Sequence, residues 1–187
     1  MKEVIFFGRG GQGAVIASQA LAMAAFHEKK YSQSFPMFGS ERKGSPVTAY
    51  ARLSTDEIET REPILKADYV IVLDPAIFKS FNPFDFLKKG GCAIVNSTRD
   101  RGELLRKFPH PEEIKVFILD ATKIANQIYG PSSIPRTNIV MLGAFVAATR
   151  MIELRSISKT LENIFNGELL KKARKSLKIA YEKIQKQ

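Results

Sequence analysis

The chain has 187 residues, 44% hydrophobic and 26% charged, which is enough for one domain with its own core and close to an ordinary soluble protein. No apolar run approaches the roughly 20 residues of a membrane span, no secretory signal precedes the first strand-like run, and one cysteine, Cys92, with His27 and His110, supplies neither a disulfide nor a metal-ligand set. The formal net charge of +10 invites a nucleic-acid reading, but its distribution points elsewhere, and the expectation is a cytoplasmic protein without nucleic-acid or membrane partners.

The first element is the apolar run "EVIFF", followed by a turn in which Gly8, Gly10 and Gly13 fall on G-x-G-x-x-G. A helix then carries an apolar face assigned to Val15, Ile16, Gln19, Ala20, Met23 and Ala24. In such a turn Gly8 is expected to allow the tight bend, Gly10 the approach of a ligand to the backbone, and Gly13 close packing of the helix. The helix start offers free N–H groups to an anion. Arg9, Gly11 and Gln12 fill the turn with a cation, a further glycine and an amide. Arg9 can grip a carboxylate or phosphate or simply be solvated, and Gln12 can serve a ligand or cap the helix.

A dinucleotide site also requires an acid at the end of the second strand, to hold the ribose hydroxyls. That strand reads "YSQSFPMFG", with Ser32, Gln33 and Ser34 where the acid belongs. A stand-alone NAD(P)-binding oxidoreductase stays open through Arg42 and Lys43, but the ribose half of the fingerprint is missing. Between this strand and "VTAYARLS" lies a loop longer than a hairpin needs, with Pro36, Gly39, Glu41, Arg42, Lys43, Gly44 and Pro46. Its rigid punctuation favours a defined, functional shape, with an ordinary hairpin connection ending in a solvated tip as the alternative.

Three more strands follow, "YVIVLD", "CAIVNS" and "KVFILD", apolar without alternation, as in parallel strands buried on both faces. Lys89, Gly90 and Gly91 form a turn before the second of these. Asp74 and Asp120 end two strands and read as helix caps, with a ligand-facing role as the alternative. The stretch 137–152, "TNIVMLGAFVAATRMI", is a nearly all-apolar helix that is buried or faces a partner. After "ISKTLENIF", residues 171–187 hold seven Lys or Arg against one Glu. Leu169, Leu170, Ala173, Leu177, Ala180, Tyr181 and Ile184 recur at helical spacing from just before this stretch, giving an amphipathic helix with a basic outer face, either solvated or set against an acidic partner. Alternating strands and helices with neither linker nor repeat make residues 1–187 a single α/β domain, an open, mostly parallel sheet flanked by helices and closed by C-terminal helices.

The blocks "GRGGQGAVIASQALAMAA", "SQSFPMFGSERKGSPVTAYARLS", "ADYVIVLD" and "TNIVMLGAF", in this order, resemble the gamma subunit of 2-oxoacid:ferredoxin oxidoreductases of the pyruvate and 2-oxoisovalerate type. The resemblance implies a Rossmann-like gamma domain in an enzyme that decarboxylates a 2-oxoacid oxidatively to an acyl-CoA, carbon dioxide and reduced ferredoxin. It implies thiamine diphosphate and 4Fe-4S clusters on partner subunits (alpha, beta and delta, with ferredoxin reached through the complex), coenzyme A as co-substrate, and no cofactor held by this chain alone. Carried over by motif, the candidate coenzyme A positions are Gly8, Arg9, Gly10, Gly11, Gln12 and Gly13, with Glu41, Arg42, Lys43 and Gly44. No residue is assigned a catalytic role. Ser45 stands where alanine is usual in the family and Ile139 where threonine is common, departures that leave the choice of oxoacid open.

Overall fold

A computed structural model describes residues 1–37, 44–106 and 113–187. Its centre is a six-stranded sheet in the order β2-β3-β1-β4-β5-β6. The strands are β1 (Lys2–Arg9), β2 (Tyr31–Met37), β3 (Pro46–Ser54), β4 (Ala67–Val72), β5 (Leu87–Asn96) and β6 (Lys115–Leu119). β1, β4, β5 and β6 are mutually parallel, whereas β3 runs antiparallel to both of its neighbours, β1 and β2. The sheet is therefore mostly parallel, as the alternation of elements predicts, with one reversed strand.

Burial on both faces explains why β1 and β4 do not alternate in polarity. Val4 and Phe6 of β1, with Ile71 and Leu73, enter one core layer. Ile5 and Phe7, with Val70 and Val72, enter the other. The first layer is roofed by helices α1 (Ala14–His27), α3 (Ala121–Tyr129), α4 (Asn138–Thr149), α5 (Leu154–Thr160) and α6 (Gly167–Ile184). The second is covered by two 3-10 turns, Pro75–Lys79 and Pro83–Phe86, and by the short α2 (Arg101–Leu105). Phe81 and Phe86 close on Phe7, ring centroids 5.1 and 5.2 Å away.

The 137–152 stretch forms α4 and is buried from Asn138 to Ala147, as its composition requires. It ends where Arg150 takes a left-handed conformation at φ 53°. α6 lies across α4 at Gly143, where a Cβ would collide with the carbonyl oxygen of Leu177. The inner face of α6 consists of Ala173, Leu177, Ala180 and Ile184, within the expected stripe, and Ser176, while Lys171, Lys175, Lys178 and Lys183 are exposed.

Two local expectations fail in part or whole. Of the face assigned to α1, Ala20 and Ala24 are buried, together with Ala14, Ala17, Ser18, Leu21, Ala22 and Ala25, whereas Ile16 and Met23 are exposed, as is Phe26. Size misleads here, because a helix lying close on a sheet needs small residues beneath it. Lys89, Gly90 and Gly91 lie inside β5 rather than in a turn before it; Lys89 and Gly90 are exposed, with Gly90 at φ 75°, and Gly91 is buried. No helix of the described residues is long and apolar enough to cross a membrane.

Candidate functional site

The chain reverses its direction of winding between β1 and β4: β1 leads through α1 outward to β2, while β4 leads the opposite way to β5 and β6. In open parallel sheets the crevice beyond the carboxyl ends of strands at such a point is where ligands bind. Here it is formed by the glycine turn after β1 and by Asp74 after β4.

The turn is built differently from the sequence expectation. Gly8 is still a β1 residue, opposite Val47 of β3, and the positive φ values fall on Gly11 (94°) and Gly13 (81°). What Gly8 spares is crowding, since a Cβ there would come within 3.1 Å of Leu73 Cδ1. Gly13 is the residue before α1 and lies against Asn138, the first residue of α4, so its close contact is with a helix start rather than with the sheet. Ile134 packs over Gly11, 3.6 Å from a Cβ placed there. No side chain caps α1 among the described residues, and its first N–H groups stay free of side-chain acceptors.

Arg9 takes one of the roles weighed from sequence, the grip on a carboxylate, and Gln12 takes neither of its two. Arg9 is not simply solvated: its Nε and Nη2 lie 2.8 and 2.7 Å from Asp74 Oδ2. Gln12 is buried and does not cap α1. Its Oε1 accepts the Arg9 N–H at 2.8 Å and its Nε2 donates to Asp74 Oδ2 at 2.6 Å. Asp74 does cap, accepting the Ala76 N–H at 2.8 Å, but it also ties down the glycine turn. Asp120 is a cap as expected, accepting the Lys123 N–H at the start of α3.

The second cluster meets the first. Gly10 N–H donates to Ser45 O at 2.8 Å, Gly44 N–H donates to Gly10 O at 3.2 Å, and Arg9 pairs with Pro46. Gly44 has φ 88°. Glu41, Arg42 and Lys43 lie outside the described residues.

Sequence reading passed over Asn96, Thr137 and Asn138. Asn96 ends β5 as Asp74 and Asp120 follow β4 and β6, and that repeated polar strand end is the signal that marks it. Its amide donates to Leu73 O and Thr122 Oγ1 and accepts from the Ala121 and Thr122 N–H groups. Together with Pro75, Ser97 and Asp120 it lines an open crevice of about 600 Å³ at the carboxyl ends of β5 and β6 and the start of α3. Thr137 Oγ1 donates to Leu73 O and joins the α4 start to the end of β4.

The positions a dinucleotide site would use are committed to packing. Ser32 donates to Ala22 O, Gln33 to Ile58 O, and Ser34 is bonded to Ser18. β3 also separates β2 from β1, placing the end of β2 two strand spacings, about 9–10 Å, from the turn. Among the described residues no three or more His, Cys, Asp or Glu are grouped to hold a metal ion. Burial pushes the Cys92 thiol up to about 11, which leaves it protonated and unreactive near neutral pH.

Comparison with known proteins agrees over nearly the whole chain. The family described as "Pyruvate ferredoxin/flavodoxin oxidoreductase" matches residues 3–183. The "Pyruvate/ketoisovalerate oxidoreductases common subunit gamma" of Thermococcus litoralis is 43% identical over 183 residues, 98% of this chain and 97% of that one. The crystal structure of pyruvate oxidoreductase subunit PORC from Thermotoga maritima superposes with a TM-score of 0.81 at 33% identity, covering 97% of each chain. The same fold recurs within 31% of the 2-oxoglutarate:ferredoxin oxidoreductase of Magnetococcus marinus, solved with 2-oxoglutarate, coenzyme A and succinyl-CoA bound, with a TM-score of 0.78 and 18% identity over 100% of this chain.

Proposed function

The chain belongs to the pyruvate ferredoxin/flavodoxin oxidoreductase family, as the gamma subunit of a 2-oxoacid:ferredoxin oxidoreductase, and we propose that its own part is to receive coenzyme A at the glycine turn. In this reading residues 1–187 act as one gamma-type domain. Thiamine diphosphate and 4Fe-4S clusters are carried by the alpha, beta and delta subunits, and electrons leave to ferredoxin through the complex. The oxoacid loses carbon dioxide, its acyl group passes to the coenzyme A thiol, and the electrons reduce ferredoxin.

The observation that carries this reading is the junction of the two loops, Gly10 bonded to Gly44 and Ser45, at the carboxyl ends of β1 and β4. It ties the turn that leads into the uncapped start of α1 to Gly44 and Ser45, which follow Arg42 and Lys43 in the sequence. Backbone N–H groups at a helix start suit a phosphate-bearing ligand, and the Arg42 guanidinium would add paired donors to it. Coenzyme A needs no acid for a nicotinamide ribose, in keeping with the serines on β2.

In the assembled enzyme, Arg42→Ala is expected to raise KM for coenzyme A roughly tenfold, the effect of losing about 1.4 kcal/mol of binding, and to leave KM for the oxoacid within about twofold. Lys43→Ala is expected to do less, since one flexible ammonium is easily replaced by another cation. Equal increases in both constants would place Arg42 in assembly instead and overturn the reading. Recovery of the chain from its native cells without a partner containing thiamine diphosphate and iron–sulfur clusters would do the same.

A further inference from the structure

A carboxylate only 6% exposed must have its charge and lone pairs matched by donors, and a strand-end aspartate that merely caps the next turn needs one N–H. Asp74 takes three hydrogen bonds and an ion pair. Oδ1 accepts from the Ala76 N–H at 2.8 Å, while Oδ2 accepts from Arg9 Nε at 2.8 Å and Gln12 Nε2 at 2.6 Å and lies 2.7 Å from Arg9 Nη2. The far end of the Gln12 amide accepts the Arg9 N–H at 2.8 Å. The result is a closed ring, running from the Arg9 backbone through the Gln12 amide and the Asp74 carboxylate back to the Arg9 guanidinium.

Such a ring answers a problem that the glycines create. Gly10 and Gly11 permit many backbone shapes, and choosing one at the moment of binding would cost ordering entropy. The ring chooses it beforehand and holds it on β4, a strand buried in the sheet. Arg9 serves inside it as a neutralised strut, with its Nε and Nη2 turned away from any ligand.

We infer that Asp74 is a positioning residue, which acts through Arg9 and Gln12 to hold the glycine turn in the shape that receives coenzyme A. The inference rests on the reading that the turn is the coenzyme A site, and the test separates the two. Asp74→Asn is nearly isosteric, but one amide cannot accept on both sides as the carboxylate does. In the assembled oxidoreductase, hydrogen exchange of amides 9–13 is expected to accelerate, KM for coenzyme A to rise roughly tenfold, and KM for the oxoacid to stay within about twofold. Added to Arg9→Met, Asp74→Asn is expected to change KM for coenzyme A less than about twofold further, because both break one ring.

Unchanged exchange at 9–13 would overturn the ring whatever the kinetics. Faster exchange with an unchanged KM for coenzyme A would leave the ring standing and overturn the ligand assigned to the turn, and with it the positioning role. A purely structural aspartate would lower Tm and move both KM values together or neither. Should Asp74→Asn fail to assemble, Gln12→Leu opens the same ring while sparing the Asp74–Arg9 pair, and the same two measurements decide.

Discussion

At the level of single residues, the glycine turn shows what a motif carries and what it hides. Spacing alone located the turn, but not which glycines need their freedom: Gly11 and Gly13 have positive φ, while Gly8 is extended strand. Nor could spacing show that Arg9 and Gln12 face Asp74, because that carboxylate lies 65 residues from Arg9 along the chain. Long-range pairing of this kind is settled by strand order, which no local pattern encodes. The two kinds of glycine constraint can be told apart by substitution. Gly90→Ala, at φ 75° in open space, is expected to cost only the left-handed backbone, about 1–2 kcal/mol. Gly13→Ala adds a collision with the Asn138 amide and is expected to cost roughly 2–4 kcal/mol in urea or thermal unfolding. Equal losses would mean that Asn138 swings aside freely.

Among the elements, strands were the most legible, because runs such as "YVIVLD" are buried on both faces and need no periodicity to be recognised. Helix faces were less so. The faces of α4 and α6 follow apolar content, whereas the buried face of α1 is its small-residue face, determined by how closely it lies on β2 and β3. The reversal of β3 was also hidden, since sequence does not show which strand enters between β1 and β2. Close approach recurs at α4, where Gly143 meets the backbone of α6. Helix propensity alone would make Gly143→Ala stabilising by about 1 kcal/mol. The collision with a carbonyl oxygen that cannot rotate away reverses the sign, and a net loss of roughly 2 kcal/mol or more is expected in thermal unfolding, because α6 must lift from α4. A gain in Tm would show that the two helices slide apart at little cost.

On the scale of the whole molecule, the surplus of positive charge and the few well-held carboxylates act on stability in the same direction as pH falls. Asp68 joins three strands near the end of the sheet remote from the glycine turn. It accepts the Glu3 N–H of β1 at 3.0 Å and pairs with Lys2 at 2.9 Å and with Lys88 of β5 at 3.2 Å. Burial alone would raise its carboxyl, but the bonds from Lys2, the Glu3 N–H and Lys88 outweigh it and hold the group below its ordinary 3.8. A carboxyl depressed by folding contributes stability that is complete above the unfolded value and is lost as pH falls through the folded one. Wild-type stability is therefore expected to decline from about pH 4 downward, and Asp68→Asn to decline less over that range. At neutral pH the variant is expected to lose about 1 kcal/mol, or about 2–4 °C in Tm, kept small by solvent around the half-exposed lysines. Protonating the other carboxylates also drives the net charge above +10 and adds self-repulsion, but that addition is nearly the same in both proteins. Thermal unfolding of the two across pH 2 to 7 thus isolates the Asp68 contribution as the gap between the curves. The gap is expected to close toward acid; parallel curves would mean that the three strands are held together at that end by packing alone.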